Sequence, residues 1–238
     1  MREDESATTT LITGANRGIG LELVRQYADA GWRVHACCRE PDRARDLKSV
    51  VRAHDGQVTA HALDVVDARS RAALAKALKS EPIDLLFHNA GVYGPNGVAF
   101  GRNTGEDDWI EVLRVNAMAP LKLSELLVDN VAKSRRRLIA VMSSGMGSIA
   151  DNTSGGAYLY RSSKSALNAV AKSMAIDLAP RRIIVLALCP GWVRTDMGGS
   201  KAPIPVERSV RGLRKVIEEA APADSGTFIR YEGTRVPW

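Results

Sequence analysis

Seven short β-like runs alternate with longer stretches of helical spacing, and this alternation does most to restrict what the chain can become. The runs are Thr9–Thr13, Arg33–Cys38, Val58–Leu63, Ile83–His88, Leu138–Ser143, Ile183–Cys189 and Thr227–Tyr231. The segments between them are long enough for the crossover helices that parallel strands require. The central runs are continuously apolar, as strands covered on both faces should be. The chain therefore reads as a doubly wound α/β fold, with a mostly parallel seven-stranded sheet and helices on both faces. Its 238 residues, 45% of them hydrophobic, suffice for one large core, and two independent domains would be cramped. That single domain is expected over residues 9–238, behind a flexible segment 1–8.

The first run feeds Thr13-Gly14-Ala15-Asn16-Arg17-Gly18-Ile19-Gly20, and Leu21 to Ala30 continues at helical spacing up to Gly31. Glycines here let the backbone turn tightly and approach a pyrophosphate, whose charge the exposed amides of the following helix stabilise. The spacing G-x-x-x-G-x-G is looser than the usual dinucleotide pattern, so the strand–loop–helix context carries the reading. It predicts a Rossmann-type nucleotide site that includes Gly14, Asn16, Arg17, Gly18, Ile19 and Gly20. Leu63-Asp64-Val65, Asn89-Ala90-Gly91 and Pro190-Gly191-Trp192-Val193-Arg194-Thr195 close the third, fourth and sixth runs. In an open parallel sheet the ligand crevice lies at those carboxyl ends, so all these motifs converge on one place.

Gly155 to Asn168 holds two tyrosines and one lysine. If a helix begins near the glycine pair, residues four apart stack on one face, so Tyr160 and Lys164 become neighbours while Tyr158 points elsewhere. Only Tyr160 can use that lysine. Taken alone, the pair also fits a half-buried ring beside a solvated ammonium.

Other features limit the function classes. Cys37, Cys38 and Cys189 are an odd, sparse set without metal-ligand spacing, which points to a reduced, cytoplasmic setting and no metal. The acidic start Met1 to Ser6 has no apolar segment after it, and no apolar run approaches the ~18 residues of a membrane span. A net charge of +6 raises nucleic acid as a partner, with Arg135-Arg136-Arg137 and Arg181-Arg182 as the obvious patches. Both precede apolar runs, where helix-to-strand loops lie in water, so solvated loop charges are expected and no nucleic acid.

Taken together, T-G-A-N-R-G-I-G, the N-A-G of Asn89 to Gly91, Asn116, Ser144 in Ser143-Ser144-Gly145-Met146-Gly147, Y-R-S-S-K of Tyr160 to Lys164, and P-G-W-V-R-T resemble the short-chain dehydrogenase/reductase superfamily. Asn89 to Pro95, Pro190 to Gly199 and the ending Tyr231 to Trp238 are similar to its C-factor and sniffer-type carbonyl reductase branch. The resemblance implies an NADP-dependent oxidoreductase that reduces an aldehyde or ketone to an alcohol by hydride transfer. A carbonyl accepting hydride develops negative charge on oxygen and needs an acid and aimed donors. Tyr160 fits the acid, and a nearby Lys164 ammonium is expected to lower its pKa from ~10.

By the same resemblance, Lys164 reaches the nicotinamide ribose, Ser144 polarises the carbonyl and Asn116 holds a relay water. Ser143 remains the rival hydroxyl, and a buried amide bonding its own helix is the alternative for Asn116. Thr195 anchors the carboxamide, Asp64 and Val65 meet the adenine, and Asn89, Ala90, Gly91, Pro190, Gly191 and Val193 complete the cofactor site. Arg39, following the second run, and Arg17 favour the 2′-phosphate of NADPH over NADH, with Glu40 as a possible ribose partner. His88 departs from the family's second asparagine and is expected to pack, with a backbone carbonyl as its partner. Tyr93, Met146, Ile149, Trp192 and Met197 are the pocket candidates for a small carbonyl or alcohol substrate, under a lid at about 192–220. The helices Glu106 to Lys133 and Tyr160 to Leu178 imply a homodimer or homotetramer. A cofactor-binding regulatory protein of the C-factor type, with little turnover, is the alternative function.

Overall fold

The computed structural model describes residues 8–79, 81–95, 100–101 and 105–238. The flexible start expected over 1–8 thus lies outside the described residues except for Thr8. Seven strands form one sheet in the order β3-β2-β1-β4-β5-β6-β7: β1 (Thr9–Thr13), β2 (Arg33–Cys38), β3 (Val58–Ala62), β4 (Leu85–His88), β5 (Leu138–Met142), β6 (Ile184–Cys189) and β7 (Thr227–Arg230). Every neighbouring pair is parallel, so the sheet goes beyond the mostly parallel expectation. The order reverses between β1 and β4, and the crevice opens at their carboxyl ends.

Strand alternation sends successive residues to opposite faces. Ile12 packs on the side of α1 (Gly18–Asp29), α2 (Arg45–Ala53) and α7 (Val206–Glu218), through Tyr27, Leu47 and Leu213. Leu11 packs on the side of α3 (Ala68–Ala77), α5 (Ala119–Lys133) and α6 (Tyr158–Asp177), through Leu74, Leu123 and Leu167. Both faces are covered, which is why β5 and β6 are apolar throughout and β4 is apolar up to His88, while the three threonines of β1 are buried with it. The helical stretch before β5 is not one straight helix. It begins as α4 (Glu106–Leu113), widens into a π turn over Arg114–Met118 and continues as α5.

Arg181 and Arg182 are exposed, as expected, but the Arg135–Arg137 cluster is not simply solvated. Arg137 Nε donates to the Ala132 and Ser134 carbonyls at the end of α5, and Arg136 Nη2 donates to the Ile217 and Glu218 carbonyls at the end of α7. Helix C-termini leave carbonyls without intrahelical partners, and cations satisfy them. Past β7 the chain turns back along its outer edge. Arg230 N–H donates to Thr234 O and Val236 N–H to Phe228 O, both at 2.8 Å. The tail thereby covers a strand edge that would otherwise present unpaired amides.

His88, at the end of β4, is buried and its Nε2 lies 2.8 Å from the Ser124 hydroxyl, so its partner is a side chain of α5 rather than the expected backbone carbonyl. Burial holds its imidazole down to about 3. His35 Nδ1 lies 3.0 Å from His61 Nε2, and burial, then the His61 charge, hold His35 down to about 4. Unfolding frees both to bind protons near ~6.5, so the unfolded state binds more protons below that pH and stability falls as pH drops from ~6.5 towards ~4. Each depressed histidine contributes a loss of about 1.4 kcal/mol per pH unit in that window. Urea midpoints at about pH 7 and about pH 5 should differ clearly, and His88→Gln should flatten the difference; equal wild-type midpoints would contradict this.

Candidate active site

The loop after β1 carries the glycines where two backbones come close. A methyl group at Gly20 would lie 2.1 Å from Gly14 O and 2.5 Å from Asn89 Nδ2. Asn89 Nδ2 donates to the Thr13 and Gly14 carbonyls, and Thr13 Oγ1 accepts from the Asn89 and Ala90 N–H groups at 3.0 Å. These bonds pin the end of β4 to the glycine loop, so the Asn89 side chain is occupied as a brace. The start of α1 is open: Arg17 at the N-cap makes no side-chain cap bond and the first turn has no acidic residue. Such a helix start, reached through glycines, fits a pyrophosphate.

Arg17 reaches across the crevice mouth to Asp196 at 2.6 Å, both largely exposed. Arg39 is exposed immediately after β2, and Glu40 lies 3.2 Å from Arg43. Asp64 is occupied locally: its Oδ1 accepts from Val66 N–H at 3.1 Å, and its own N–H donates to Ser70 Oγ. Val65 is half-buried beside it, as are Gly14, Gly18 and Ile19 in the glycine loop, whereas Asn16 is exposed. After β6, Val193 is buried, Gly191 is half-buried and Thr195 Oγ1 accepts from Gly198 N–H at 3.2 Å. Pro190 O is taken by the Ser209 hydroxyl of α7. Of the lid expected at about 192–220, the irregular part ends at Pro205; Val206–Glu218 is helix α7, packed into the core through Val210, Leu213 and Ile217.

The four residues expected to do chemistry come together at the carboxyl ends of β4 and β5. α6 starts at Tyr158 after an Ala157 in the left-handed region, and it presents Tyr160 and Lys164 on its buried side. Lys164 is 3% exposed; its Nζ donates to Met142 O at 2.8 Å and stands 5.6 Å from the Tyr160 ring centre. A methyl group at Gly91 would come 3.2 Å from Asn116 Oδ1 and 3.4 Å from Lys164 Nζ, so the backbone here leaves room for both polar ends. Asn116 sits in the π turn and bonds Val92 in both directions: Nδ2 donates to Val92 O at 2.8 Å and Oδ1 accepts from Val92 N–H at 2.9 Å. Its Nδ2 also reaches Ser163 Oγ at 2.9 Å. It therefore does not bond its own helix but ties it to the loop after β4. π turns of this kind recur where a side chain must be re-aimed.

The two serines divide. Ser143 Oγ donates to Asn168 Oδ1 at 2.6 Å in the interior, whereas Ser144 hydrogen-bonds the Tyr160 hydroxyl and accepts from Met146 N–H. Ser144 thus faces the tyrosine and Ser143 does not. Tyr93 lies against Tyr160, with ring centres 4.7 Å apart. Met146 is half-buried beside Ser144, while Trp192 and Met197 line the exposed loop after β6. Ile149 is 76% exposed and is the least enclosed pocket candidate. Tyr158 is also partly exposed, away from the cluster.

The electrostatics differ from the expectation of a lowered tyrosine. Burial pushes the Tyr160 phenol up to about 12, opposed by the Ser144 hydrogen bond. Burial pulls the Lys164 ammonium down to about 8. Desolvation outweighs attraction because the ammonium bonds Met142 O rather than the phenol oxygen. Three further residues escaped the sequence reading: Ser163, which bonds Asn116; Asn168, which takes Ser143; and Cys189, whose Sγ accepts from Gly145 N–H at 3.1 Å. Ser163 and Asn168 lie three and eight residues after Tyr160 on the same helix, a spacing that marks its inward face.

The profile of the short chain dehydrogenase family matches residues 8–203. The C-signal protein of Myxococcus xanthus is 41% identical over 169 residues, 70% of this chain and 99% of that protein. The carbonyl reductase Sniffer of D. melanogaster superposes with a TM-score of 0.89 at 34% identity, covering 98% of this chain and 100% of that one. The NADPH-bound carbonyl reductase from chicken fatty liver gives a TM-score of 0.90 at 33% identity, covering 98% and 99%.

Proposed function

The chain belongs to the short-chain dehydrogenase family, and from that premise we propose that it is an NADP-dependent carbonyl reductase that converts an aldehyde or ketone to an alcohol. The observation that supports this most is the cluster of buried Asn116, Tyr160 and Lys164 with half-buried Ser144, beside an open, glycine-lined helix start. Two structurally similar proteins are carbonyl reductases, one described with NADPH bound. Gly14, Gly18, Ile19 and Gly20 would hold the pyrophosphate, Asp64 and Val65 the adenine, Arg39 with Arg17 the 2′-phosphate, and Lys164 and Thr195 the nicotinamide end. When bound, NADPH supplies the hydride. Ser144 donates to the carbonyl oxygen, and Tyr160, kept protonated by burial, gives that oxygen its proton. The charged Lys164 then stabilises the phenolate left behind. The test is carbonyl-dependent NADPH consumption over a panel of aldehydes, ketones and quinones; silence across the panel with cofactor bound would reject the reading.

Lys164 also sets a pH limit. A cation is needed opposite the phenolate, and Lys164 loses its proton above about 8. Reductive kcat/KM should therefore be level below that pH and fall roughly tenfold per pH unit above it. A profile level to about pH 10 would contradict the role.

A second reading, a cofactor-binding regulatory protein, is favoured by the 41% identity with C-signal. It predicts NADPH binding without carbonyl-dependent consumption. Assembly as a homodimer or homotetramer through α4, α5 and α6 is supported by the exposed Ile110, Leu126 and Ile176 on those helices and by Met118 in the π turn between the first two. Light scattering should give a multiple of 25.7 kDa, and a concentration-independent mass of one chain would contradict this. A cytoplasmic setting is supported by three free, buried cysteines. Among the described residues no helix is long and apolar enough to cross a membrane.

A further inference from the structure

We infer that Trp238 is a positioning residue for the loop that carries Ser144. Its main-chain oxygen accepts hydrogen bonds from three consecutive residues of that loop: Ile149 N–H at 2.8 Å, Ala150 N–H at 3.1 Å and the Ser148 hydroxyl at 3.2 Å. Ser148 is 1% exposed, so water does not compete for its proton, and its oxygen accepts in turn from Asp151 N–H at 3.1 Å. One acceptor thus fixes a whole turn of the loop.

That acceptor is itself held. The Trp238 ring stacks on Phe228 of β7 at 5.7 Å between centres and 19° between planes, and Phe228 is fully inside the core. Two residues earlier, Val236 is buried and its N–H bonds Phe228 O. The tail is therefore registered to the sheet by both backbone and ring.

The loop needs this support. Ser144 is followed by Gly145-Met146-Gly147, a sequence with wide backbone freedom, so the position of its hydroxyl depends on anchors further along. α6 supplies one anchor: Gly147 O accepts from Ser165 Oγ at 2.9 Å and from Asn168 Nδ2 at 3.1 Å. Cys189 Sγ holds Gly145 N–H before that point, and Trp238 supplies a further anchor immediately after Gly147. With these in place the Ser144 hydroxyl stays against Tyr160. Without Trp238, the stretch from Ser148 to Asp151 is free to pull the turn out of register.

The catalytic consequence rests on the carbonyl reductase reading, but the pin itself does not. Hydrogen exchange by mass spectrometry on the protein without cofactor reads the amides of Ile149 and Ala150 directly. In Trp238→Ala these amides should exchange at least ~10-fold faster while those of β5 and β6 keep their protection. Trp238→Phe, which retains a ring for Phe228, should restore them. On a carbonyl that the wild type turns over, Trp238→Ala should lower kcat about tenfold with the NADPH Kd within ~2-fold, and Trp238→Phe should recover most of it. Ser148→Ala leaves β7 and the tail untouched and should give the same changes in smaller measure, which keeps the test open if Trp238→Ala fails to fold. Unchanged exchange at Ile149 and Ala150 in both alanine variants would overturn the pin. Faster exchange with full kcat would overturn its role in positioning Ser144. If the wild type consumes no NADPH with any carbonyl, the reductase reading fails while the exchange result still decides the pin.

Discussion

Tyr160→Phe should lower kcat by at least ~100-fold while leaving the NADPH Kd within ~2-fold. The substitution keeps the ring that packs on Tyr93 and the buried volume, and removes only the hydroxyl that Ser144 engages. Burial holds that phenol protonated well beyond neutral pH, which suits a donor and means that its loss cannot be replaced by buffer reaching the buried site. Tyr158→Phe is the control: it lies two residues away on the same helix but is partly exposed and outside the cluster, and its effect should stay within ~3-fold. Lys164→Ala should damage cofactor affinity and rate together, because one ammonium serves both. Steady-state rates and cofactor titration of the three variants check this, and equal activity of the two Phe variants would remove Tyr160 from the chemistry.

The second large effect concerns cofactor choice. A wild-type preference of roughly 100-fold for NADPH over NADH is expected, at about 1.5 to 3 kcal/mol for each charge-assisted contact with the 2′-phosphate. Arg39 carries most of it, because it stands exposed at the end of β2 where NAD-binding sites place a carboxylate. Arg17 contributes only if it leaves Asp196; that ion pair is largely exposed and worth about 0–1 kcal/mol, so a phosphate can compete for the guanidinium. Glu40 pairs with Arg43 in an equally exposed ion pair, so it stays the rival partner for the ribose. Arg39→Asp should weaken NADPH at least ~30-fold and leave NADH unchanged or improved. A wild type that uses NADH as efficiently as NADPH in kcat/KM would contradict the assignment and return Glu40 as the ribose partner.

The architecture was legible because its signals are local and repeated. A strand covered on both faces must be apolar throughout, and Leu138 to Met142 and Ile184 to Cys189 declare themselves in that way. The convergence of the motifs was legible too, since parallel connections put every carboxyl end on one edge. What failed depended on three dimensions. The π turn at Asn116 gave only an asparagine in a helical stretch, with no hint that its amide would clasp Val92. Arg136 and Arg137 looked like loop charges because the helix ends they cap are not both local: Arg136 closes α7, some eighty residues on. That Ser143 turns inward depends on Asn168, which accepts its hydroxyl from 25 residues away. The balance of burial against attraction at Tyr160 and Lys164 had no counterpart in their spacing. Neither did the 90-residue reach from Ser148 to Trp238.

The central claim is hydride transfer from NADPH to a carbonyl with Tyr160 as the proton donor. NADPH deuterated at the transferring position, incubated with the best carbonyl of the panel, tests it most directly. The account predicts one deuterium on the carbinol carbon of the product for each NADPH consumed by the wild type, and at least ~100-fold slower labelling by Tyr160→Phe. NADPH consumed without label in the alcohol, or label appearing equally fast in the variant, would contradict it.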